Sequence, residues 1–348
     1  MPKAKKPSPL ASKRVTIRDV AKSANVSITA VSHTLSGNGR VKEATRIRIM
    51  QVVKELDYIA NPQARSLKTN QTMMLLALLP GGDPENINLH SSFISDILIG
   101  AAEGAISRGY ILSVAGHDAL SSSSFSHTQF DGALIVDPAE HDEVINTLEP
   151  FDVPVVTIGR QLDGASRSTV IDNDYVDSMN KILEHLQEQA YKRLALLTTD
   201  QPVSYSIDSK NACNEWFEKH GQLKAMIKEV KGYPSFEAGL KATRQLIARK
   251  NPPDVIVTTT ESLALGALQG INEAQLTLPD SIGLVSMVDS RRLAAAKNPI
   301  TAIDLHARRL GQTAADTLIG RLKKELTPNS VKVPTELLVR KSTLRLGK

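Results

Sequence analysis

The fold of the amino-terminal end is decided by residues 16–35, which read Thr16-Ile-Arg-Asp-Val-Ala-Lys-Ser-Ala-Asn-Val-Ser-Ile-Thr-Ala-Val-Ser-His-Thr-Leu35. Thr16 precedes apolar residues at helical spacing, and Asp19 follows three residues later as a short variant of the capping box. The pattern predicts a helix from about Ile17 to Ser23. Asn25 then tolerates the left-handed backbone that a tight turn needs, so the helix is followed by a turn.

A second short helix is predicted from Ile28 to about Leu35, with Ser27 as its cap. A third helix is predicted from about Lys42 to Asp57, with four buried apolar residues at helical spacing, namely Ile47, Met50, Val53 and Leu56. Two short helices joined by three or four residues are typical of a helix-turn-helix. The alternative at this stage is any small three-helix core.

The outward positions of the second helix favour the helix-turn-helix. Ile28, Thr29, Ser32 and His33 are small or hydrogen-bonding residues, so the helix can lie in a major groove. His33 can donate to guanine O6 or N7, Thr29 can bond or touch a thymine methyl, and Ile28 offers apolar contact only. Partial burial of Ile28 and a phosphate contact for His33 remain open alternatives.

The charge of the chain is unevenly distributed. Residues 1–70 hold fourteen Lys and Arg against four Asp and Glu, a formal charge of +10, whereas the remaining 278 residues carry −5. Such an excess attracts polyanions, nucleic acid first and an anionic membrane surface second. Residues 1–14 have no apolar period, so we expect a flexible basic arm that contacts phosphates or only aids solubility.

Composition excludes several classes of protein. With 348 residues, 41% of them apolar, the chain can build two or three cored domains. The single cysteine, Cys213, permits neither an intramolecular disulfide nor a thiolate metal site, and we expect no cofactor. The longest apolar run, Met73 to Leu79, is too short to span a membrane, and no signal peptide is evident, so a cytoplasmic protein is expected. The sequence contains no nucleophile elbow, zinc-protease motif or P-loop that would indicate an enzyme.

From Met73 onward, short apolar runs alternate with helical patterns, which predicts two doubly wound parallel-sheet lobes with helices on both faces. Ligands in such folds bind beyond the carboxyl ends of the strands, here between the two lobes. The predicted strands are Leu75–Leu79, Ile111–Val114, Ala133–Val136, Val153–Ile158, Leu194–Thr198, Val255–Thr258 and Ile282–Met287. The predicted helices are Ile94–Arg108, Val176–Gln189, Ala212–His220, Phe236–Arg249 and Ser262–Ala274.

The amino-terminal residues resemble the DNA-binding headpiece of the lactose-repressor (LacI/GalR) family. The resemblance is carried by Val15-Thr-Ile-Arg-Asp-Val-Ala-Lys-Ser-Ala-Asn-Val-Ser27, Ala30-Val-Ser32, Thr34-Leu-Ser-Gly37, Arg40-Val41, Thr45-Arg46, Glu55-Leu-Asp-Tyr58 and Asn61-Pro-Gln-Ala-Arg-Ser-Leu67. It continues more weakly into the family's periplasmic-binding-protein-like domain through Arg108-Gly-Tyr110, Phe130-Asp-Gly132, Val153-Pro-Val-Val156, Ile171-Asp-Asn173, Glu184-His-Leu186, Lys192-Arg-Leu-Ala195, Ala264-Leu-Gly-Ala267 and Pro279-Asp280.

The resemblance implies roles for particular residues. Base reading is implied for Ile28, Thr29 and His33, and contact with phosphates for Thr16, Ser27, Ser32 and Asn38. The segment after the headpiece is implied to be a hinge helix that folds on the operator and wedges a leucine into the minor groove, with Asn61, Ala64, Arg65, Leu67 and Lys68 as its residues. A plain linker is the alternative.

The cleft departs from the pattern of sugar-responsive members of the family. Ser209 stands where they carry a ligand-binding Arg, and Gly159 and Val288 stand where they carry Asp, which weakens the case for an ordinary free sugar. A sugar phosphate or organic acid held by Arg160 and Lys210 is the other hypothesis. The candidate effector contacts are Ser91, Phe93, His117, Asp137, Arg160, Ser209, Lys210, Glu261 and Asp289.

The sequence therefore predicts a basic arm (1–14), a helix-turn-helix domain (15–60), a hinge helix or linker (61–71) and a two-lobed effector-binding and dimerisation domain (72–348). We expect a homodimeric transcription regulator, most often a repressor in the resembling family, that binds a palindromic operator and responds to a small-molecule effector. Apolar positions on Ile94–Ile106 are the expected dimer contacts. The alternative is an effector-independent DNA-bending protein with a degenerate cleft; a free ligand-binding protein would not need the basic headpiece.

Overall fold

The structure is a computed structural model that describes residues 15–36, 40–58, 71–80, 91–116, 129–162, 168–220 and 224–345. The chain divides into two units, residues 1–72 and 73–348. None of the helices in the described ranges combines the length and apolar content needed to cross a membrane.

The described residues of the first unit form three helices, and the first two begin at the caps that the sequence predicts. The helices are α1 (Ile17–Ser23), α2 (Ile28–Ser36) and α3 (Glu43–Glu55). The Asp19 carboxylate accepts hydrogen bonds from the backbone N–H of Thr16 at 2.8 Å and from its hydroxyl at 2.7 Å. Asn25 adopts φ +51° in the turn, and the Ser27 hydroxyl oxygen accepts from the Ala30 N–H at 3.1 Å. The cap residues thus satisfy backbone groups that a helix end leaves open.

The core of this unit corrects the predicted register of α3. The side chains of Ile47 and Met50 are 60% and 48% exposed, so their predicted burial is wrong. The helix has apolar residues on two sides, so either side could form the buried stripe. Contact with α1 and α2 buries the stripe that contains Ile49 and Val52. The buried core consists of Val20, Ala21, Ala24, Val31, Ile49 and Val52.

The second unit consists of two lobes, each built on a six-stranded sheet. The sheet of lobe 1 is wholly parallel, in the order β11-β5-β4-β3-β1-β2. Its strands are β1 (Met74–Leu79), β2 (Ile111–Gly116), β3 (Gly132–Val136), β4 (Val155–Ile158), β5 (Thr169–Asn173) and β11 (Ser330–Val333). Its helices are α4 (Ser92–Ser107), α5 (Glu143–Leu148), a short 3-10 turn (Glu149–Phe151) and α11 (Ala307–Leu322).

Lobe 2 repeats this plan with one exception. Its sheet has the order β12-β10-β9-β8-β6-β7, and β12 runs antiparallel to β10, which the prediction of parallel sheets missed. The strands are β6 (Arg193–Thr199), β7 (Lys224–Val230), β8 (Val255–Thr258), β9 (Gly283–Ser286), β10 (Thr301–Asp304) and β12 (Glu336–Leu338). The helices are α6 (Tyr175–Glu188), α7 (Ser204–His220), α8 (Phe236–Ile247), α9 (Glu261–Glu273) and α10 (Arg291–Ala294).

Each sheet is buried on both faces, which confirms the predicted doubly wound class. In lobe 1, α4 and α11 cover one face of the sheet and α5 covers the other. In lobe 2, α6 and α7 cover one face and α8 and α9 cover the other. Strand interiors such as Leu75–Leu79 are therefore buried as continuous apolar runs rather than alternating.

Three crossings between the lobes meet at one side chain. Asn173, at the end of β5, is 3% exposed. Its side-chain amide donates to the carbonyl oxygen of Leu305, in the crossing from β10 to α11, at 3.1 Å. The same amide donates to the carbonyl oxygen of Val333, in the crossing from β11 to β12, at 3.0 Å. The three backbone crossings are thereby held together at the base of the cleft.

Two glycines let α4 and α11 pack with their backbones in contact. A Cβ on Gly311 would lie 1.9 Å from the carbonyl oxygen of Ile97, and one on Gly100 would lie 1.9 Å from that of Arg308. Because neither neighbour is a flexible side-chain end, the helices would have to separate to admit a methyl group.

Gly311→Ala should lower the free energy of unfolding by roughly 1–3 kcal/mol, as overpacking in a dense core does. Urea unfolding followed by circular dichroism gives the change. The matched control is Gln312→Ala at the exposed neighbouring position of the same helix, which should change stability by less than about 0.5 kcal/mol. Equal stability of the two variants would contradict the close approach of the helices.

Candidate nucleic-acid interface and ligand cleft

The predicted base-reading residues share the outward face of α2. Thr29 is exposed, Ile28 is 44% exposed, and His33 is half-buried one turn later. Val31 and Thr34, on the opposite face, are buried in the three-helix unit. The exposed face is narrow and carries no acidic side chain, which suits insertion into a groove lined by phosphates.

The predicted phosphate contacts lie beside it at helix starts. Thr16 and Ser27 are exposed immediately before α1 and α2, where backbone N–H groups and the helix dipole favour anions, and Ser32 is half-buried on α2. Several predicted contacts lie outside the described residues, namely Asn38 and the hinge residues Asn61, Ala64, Arg65, Leu67 and Lys68.

At the carboxyl edge of lobe 1, the strand register places two aspartates on either side of a glycine. Asp137 and Gly159 directly follow β3 and β4, and the register puts them in one row with Asp172 near the end of β5. The ladder continues through this row, because the N–H of Asp137 bonds the Ile158 carbonyl at 2.8 Å and that of Gly159 bonds the Ile171 carbonyl at 2.9 Å. Gly159 has φ +94°, and a Cβ there would lie 3.2 Å from Asp137 Oδ1.

Burial changes the acidity of both aspartates. Desolvation, followed by the negative charge of Asp172, raises the pKa of Asp137 to about 7. Desolvation likewise raises the pKa of Asp172 to about 7. The hydrogen bond from the Asn173 N–H lowers this pKa, whereas the negative charge of Asp208 raises it further. Asp172 is 8% exposed, and its Oδ1 accepts that N–H at 2.8 Å. The row therefore holds two carboxyl groups that titrate close to neutral pH.

Two tyrosines of lobe 2 face the aspartates. Tyr175 begins α6 and Tyr205 lies in the first turn of α7, and their ring centroids are 6.2 Å apart. Burial, and then the negative charge of Asp137, raise the pKa of both phenols above its ordinary value. Both rings therefore stay neutral and present an aromatic surface to the aspartates.

The two cations predicted to hold an anionic effector each have a carboxylate partner. Arg160 of lobe 1 makes a two-point ion pair with Asp208 on α7 of lobe 2, with Nε at 3.3 Å from Oδ2. Lys210 donates to Glu229 on the edge strand β7 at 2.6 Å. The hypothesis that these side chains receive a ligand carboxylate or phosphate is thus weakened.

A second bridge crosses the cleft at the start of α4. Glu261, 3% exposed at the first position of α9, accepts from the Ser92 N–H at 3.0 Å and from its hydroxyl at 2.9 Å. Arg292 lies 3.2 Å from the other oxygen of Glu261. Phe93, the next residue of α4, packs against the cores of both lobes. Ser92, Phe93 and Glu261 therefore join the lobes, and Ser91 precedes them as the N-cap of α4.

The structure does not support two other predicted contacts. Ser209 is fully buried within lobe 2, where its hydroxyl donates to the Tyr205 carbonyl at 2.6 Å. Asp289 is held by Arg340 in a two-point pair at 2.6 and 2.8 Å. Both side chains stabilise lobe 2 rather than offering groups to a ligand. His117 lies outside the described residues.

Sequence reasoning missed four residues of the cleft, namely Asp172, Tyr175, Tyr205 and Asp208. The sequence contains a signal for Asp172. This residue lies at the end of the short segment 169–173, just as Asp137 follows the apolar run at 132–136. The helix that carries Tyr205 and Asp208 starts at Ser204, eight residues before its predicted start, since its polar first turns hide the apolar period.

Comparison with known proteins agrees with this geometry. Residues 16–61 match the family described as bacterial regulatory proteins, lacI family, and residues 183–343 match the periplasmic binding protein-like domain. A Bacillus subtilis (strain 168) protein named "Probable HTH-type transcriptional repressor ExuR" is 27% identical over 353 residues, 95% of this chain and 99% of its own length. The chain thus carries a regulatory domain of the lacI family followed by a periplasmic binding protein-like domain.

Other relatives align with nearly the whole of this chain. The repressor PurR of Yersinia pestis bv. Antiqua (strain Antiqua) is 26% identical over 347 residues, 94% of this chain and 96% of its own. The lac repressor dimer bound to operator and the anti-inducer ONPF superposes with a TM-score of 0.80 at 23% identity, covering 96% of this chain and 100% of that one. The structure of a transcriptional regulator CelR–cellobiose complex superposes with a TM-score of 0.70 at 22% identity, covering 94% of this chain and 100% of that one.

The chain is therefore a DNA-binding transcription regulator, and its relatives are transcriptional repressors rather than enzymes. Its headpiece corresponds to the family's DNA-binding domain, and its second unit to the periplasmic-binding-protein-like domain. The pair of aspartates belongs to the second unit.

The raised pKa values of Asp137 and Asp172 make stability depend on pH. The native state keeps these protons after the unfolded chain has lost them, so their contribution is fully present below about pH 4 and is lost as the pH rises through about 7. Asp137→Asn should raise stability at pH 8 by at least about 1 kcal/mol relative to the parent and flatten the fall between pH 5 and 8.

Thermal unfolding of the full chain across pH 5–8 measures both effects. Asp152→Asn is the matched control, because Asp152 is exposed in lobe 1 with φ +52°, a conformation that asparagine tolerates. The control should follow the parent curve. A parent stability that rises between pH 5 and 8 while Asp137→Asn changes nothing would show that these carboxyl groups ionise normally.

Proposed function

We propose that this regulator is a homodimeric repressor that reads a palindromic operator with α2, and that a small molecule between lobes 1 and 2 controls its affinity for DNA. The observation that carries the first part is the exposed face of α2, fixed by capped helix ends and a small apolar core. A two-fold protein presents two such helices, so its operator contains two related half-sites.

Base reading is assigned to three residues of α2 and positioning to its neighbours. His33 donates to guanine O6 or N7, Thr29 bonds or touches a thymine methyl, and Ile28 gives apolar contact. Thr16, Ser27 and Ser32 contact phosphates, which fixes the position of the helix without adding sequence information. The hinge segment with Leu67 is assigned to the operator centre on its resemblance to the family, as a minor-groove wedge.

The exposed apolar residues of lobe 1 indicate where two copies meet. Ile99 and Ile106 on α4 are 46% and 69% exposed, and Ile111 and Val114 on the neighbouring strand β2 are 66% and 44% exposed. Two other apolar positions of the predicted range Ile94–Ile106, Ile94 and Ile97, instead lie in the core of their own lobe. In the described part of the sheet, β2 pairs only with β1, so its outer edge is available to a partner.

The ligand acts by changing the angle between the lobes. Two polar bridges cross the cleft, from Arg160 to Asp208 and from Ser92 to Glu261. A ligand that binds better to one lobe arrangement than to the other shifts the population of the two, and coupling of about 1–3 kcal/mol to DNA binding is typical. The expected location is the cytoplasm, on the nucleoid where operators lie.

An effector-independent DNA-bending protein is the second candidate. The departures from sugar-binding positions, Gly159 and Val288, favour it, whereas the paired aspartates and the bridges between the lobes favour a working cleft. Response of operator binding to any small molecule separates the two.

His33→Ala should relax base preference without a matching loss of general DNA affinity. Selection from random duplexes by the parent should yield a palindrome, and the variant should lose preference at one base pair of each half-site, worth about 1–3 kcal/mol. Ile47→Ala, an exposed residue of α3 off the reading face, should recover the parent motif. Failure of the parent to enrich any sequence, or equal losses by His33→Ala on selected and random duplex, would overturn the assignment.

Ile106→Glu should convert the dimer to a monomer, because it places a charge in an apolar contact. Analytical ultracentrifugation gives the oligomeric state, and operator affinity should fall with it, since one headpiece reads one half-site. Leu326→Glu is the control, at a fully exposed position beyond α11. A dimeric Ile106→Glu variant with parental operator affinity would place the interface elsewhere.

A further inference from the structure

The helix α4 begins without a capping side chain of its own. Its N-cap residue, Ser91, makes no side-chain capping bond to the described residues, and its first turn holds no acidic residue. The helices of lobe 2 that begin at Tyr175, Phe236, Glu261 and Arg291 differ, because the N-cap side chain of each accepts a backbone N–H of its own helix. The open N–H groups at the start of α4 must therefore be satisfied by water or by another part of the molecule.

Lobe 2 supplies a partner for this helix start from across the cleft. One oxygen of the Glu261 carboxylate accepts from the Ser92 N–H at 3.0 Å and from the Ser92 hydroxyl at 2.9 Å. Glu261 is itself the first residue of α9, so its charge lies at the starts of two helices, where the helix dipole favours an anion. Arg292 of lobe 2, with its Nε 3.2 Å from the other oxygen, adds a third favourable interaction.

Burial makes this contact the stronger of the two polar bridges between the lobes. The Glu261 side chain is 3% exposed, whereas the side chains of Arg160 and Asp208 in the other bridge are 40% and 17% exposed. Water weakens an exposed ion pair, while hydrogen bonds to a buried charge are among the stronger ones in proteins. Separation of the lobes would break both bonds from Ser92, so the contact favours the arrangement in which the lobes meet.

The same contact determines the position of Phe93. This residue follows Ser92 on α4, and it packs against the apolar cores of both lobes. The bonds at Ser92 and the packing of Phe93 are therefore coupled when the lobes move. Every group involved belongs to the protein itself, so this arrangement of the lobes does not require a ligand to bridge them.

We propose that Glu261 is a built-in latch, a carboxylate of lobe 2 that caps α4 of lobe 1 and holds the two lobes together without a ligand. The regulator rests in this arrangement, and the small molecule of the proposed function acts by breaking the bonds between Glu261 and Ser92. Only this second half rests on the proposed function, since closure by Glu261 is a property of the protein alone. Loss of the latch should therefore change DNA binding in the absence of any small molecule.

Hydrogen exchange of the full-length protein without DNA tests the latch. Glu261→Gln keeps the size of the side chain but removes its charge and replaces one acceptor oxygen by a donor. Amides at the start of α4, in peptides that span residues 91–98, should then exchange at least about fivefold faster, as the loss of bonds to a charged group predicts. Ser92→Ala removes the hydroxyl bond, and it should in turn speed exchange at the start of α9, in peptides that span residues 260–267 of the other lobe.

Glu273→Gln is the matched control for these variants. Glu273 is an exposed carboxylate in the last turn of α9, and it pairs with Arg244 within lobe 2, so its loss should leave exchange in lobe 1 at the parent rate. Ser92→Ala, at a half-buried helix end, keeps the test open if Glu261→Gln does not fold. Exchange that is unchanged in both variants, or that changes only in the lobe carrying the substitution, would refute a latch between the lobes.

Operator binding tests whether the latch controls the regulator. Glu261→Gln should change operator affinity at least about fivefold, the lower end of typical coupling, and Ser92→Ala should change it in the same direction. The double variant should fall short of the product of the two single changes, because both substitutions break one contact. Faster exchange across the cleft with parental operator affinity in both variants would refute control of DNA binding by the latch.

The two readouts keep failure of the latch distinct from failure of the proposed function. A protein whose exchange responds across the cleft but that enriches no operator would refute the proposed function and retain the latch. A protein that enriches an operator, and whose exchange and operator affinity are unchanged by both substitutions, would refute the latch and retain the DNA-binding function.

Discussion

The bonds from the buried Asn173 amide to the carbonyl groups of Leu305 and Val333 fix the point about which the two lobes are joined. Three backbone segments pass between the lobes there, and each would otherwise leave polar groups without partners in a buried site, at a cost of about 1–3 kcal/mol for each group. The shared amide holds the crossings at fixed spacing. Motion between the lobes must then come from backbone rotation next to it, and His306, with φ +49°, adopts a sparsely populated conformation in one of these crossings.

Because the base of the cleft is fixed, its opening is controlled by a few contacts at the rim. The pair of Arg160 with Asp208 is partly exposed, and such pairs contribute little in water. The bonds of Ser92 to the buried Glu261 and the packing of Phe93 on both cores contribute more. The sum is small enough for one ligand to change the balance between lobe arrangements, which is the requirement for a regulator.

Local chemistry made the headpiece predictable from sequence. The caps at Thr16 and Ser27 and the turn at Asn25 act within a few residues, so their outcome does not depend on the rest of the fold. The doubly wound class was equally clear, because buried parallel strands form continuous apolar runs. The register of α3 could not be predicted from sequence, because Ile47 and Ile49 both lie on apolar stripes and only packing against the other two helices decides which stripe is buried.

The cleft was the least predictable part, because its residues are brought together by strand register and by helices of the other lobe. Asp137 and Asp172 are 35 positions apart in sequence and in one row of the sheet, and the two tyrosines come from α6 and α7. The departures at Gly159 and Ser209 predict that an ordinary sugar site is altered, and this stays a prediction. At Gly159 the space of a side chain is bordered by Asp137, whose Oδ1 lies 3.2 Å from the place of a Cβ, and Ser209 lies on the helix that carries Asp208.

The carboxyl groups of Asp137 and Asp172 also help to decide whether the cleft still binds a ligand or has lost that function. Burying two unneutralised carboxyl groups lowers stability at neutral pH, and substitutions that remove such groups are among those that commonly stabilise a protein. A cleft without a function has no reason to keep that cost, whereas a ligand site recovers it when its ligand binds. The destabilised row is therefore better explained by a site that is filled in use than by an architectural protein whose cleft has decayed.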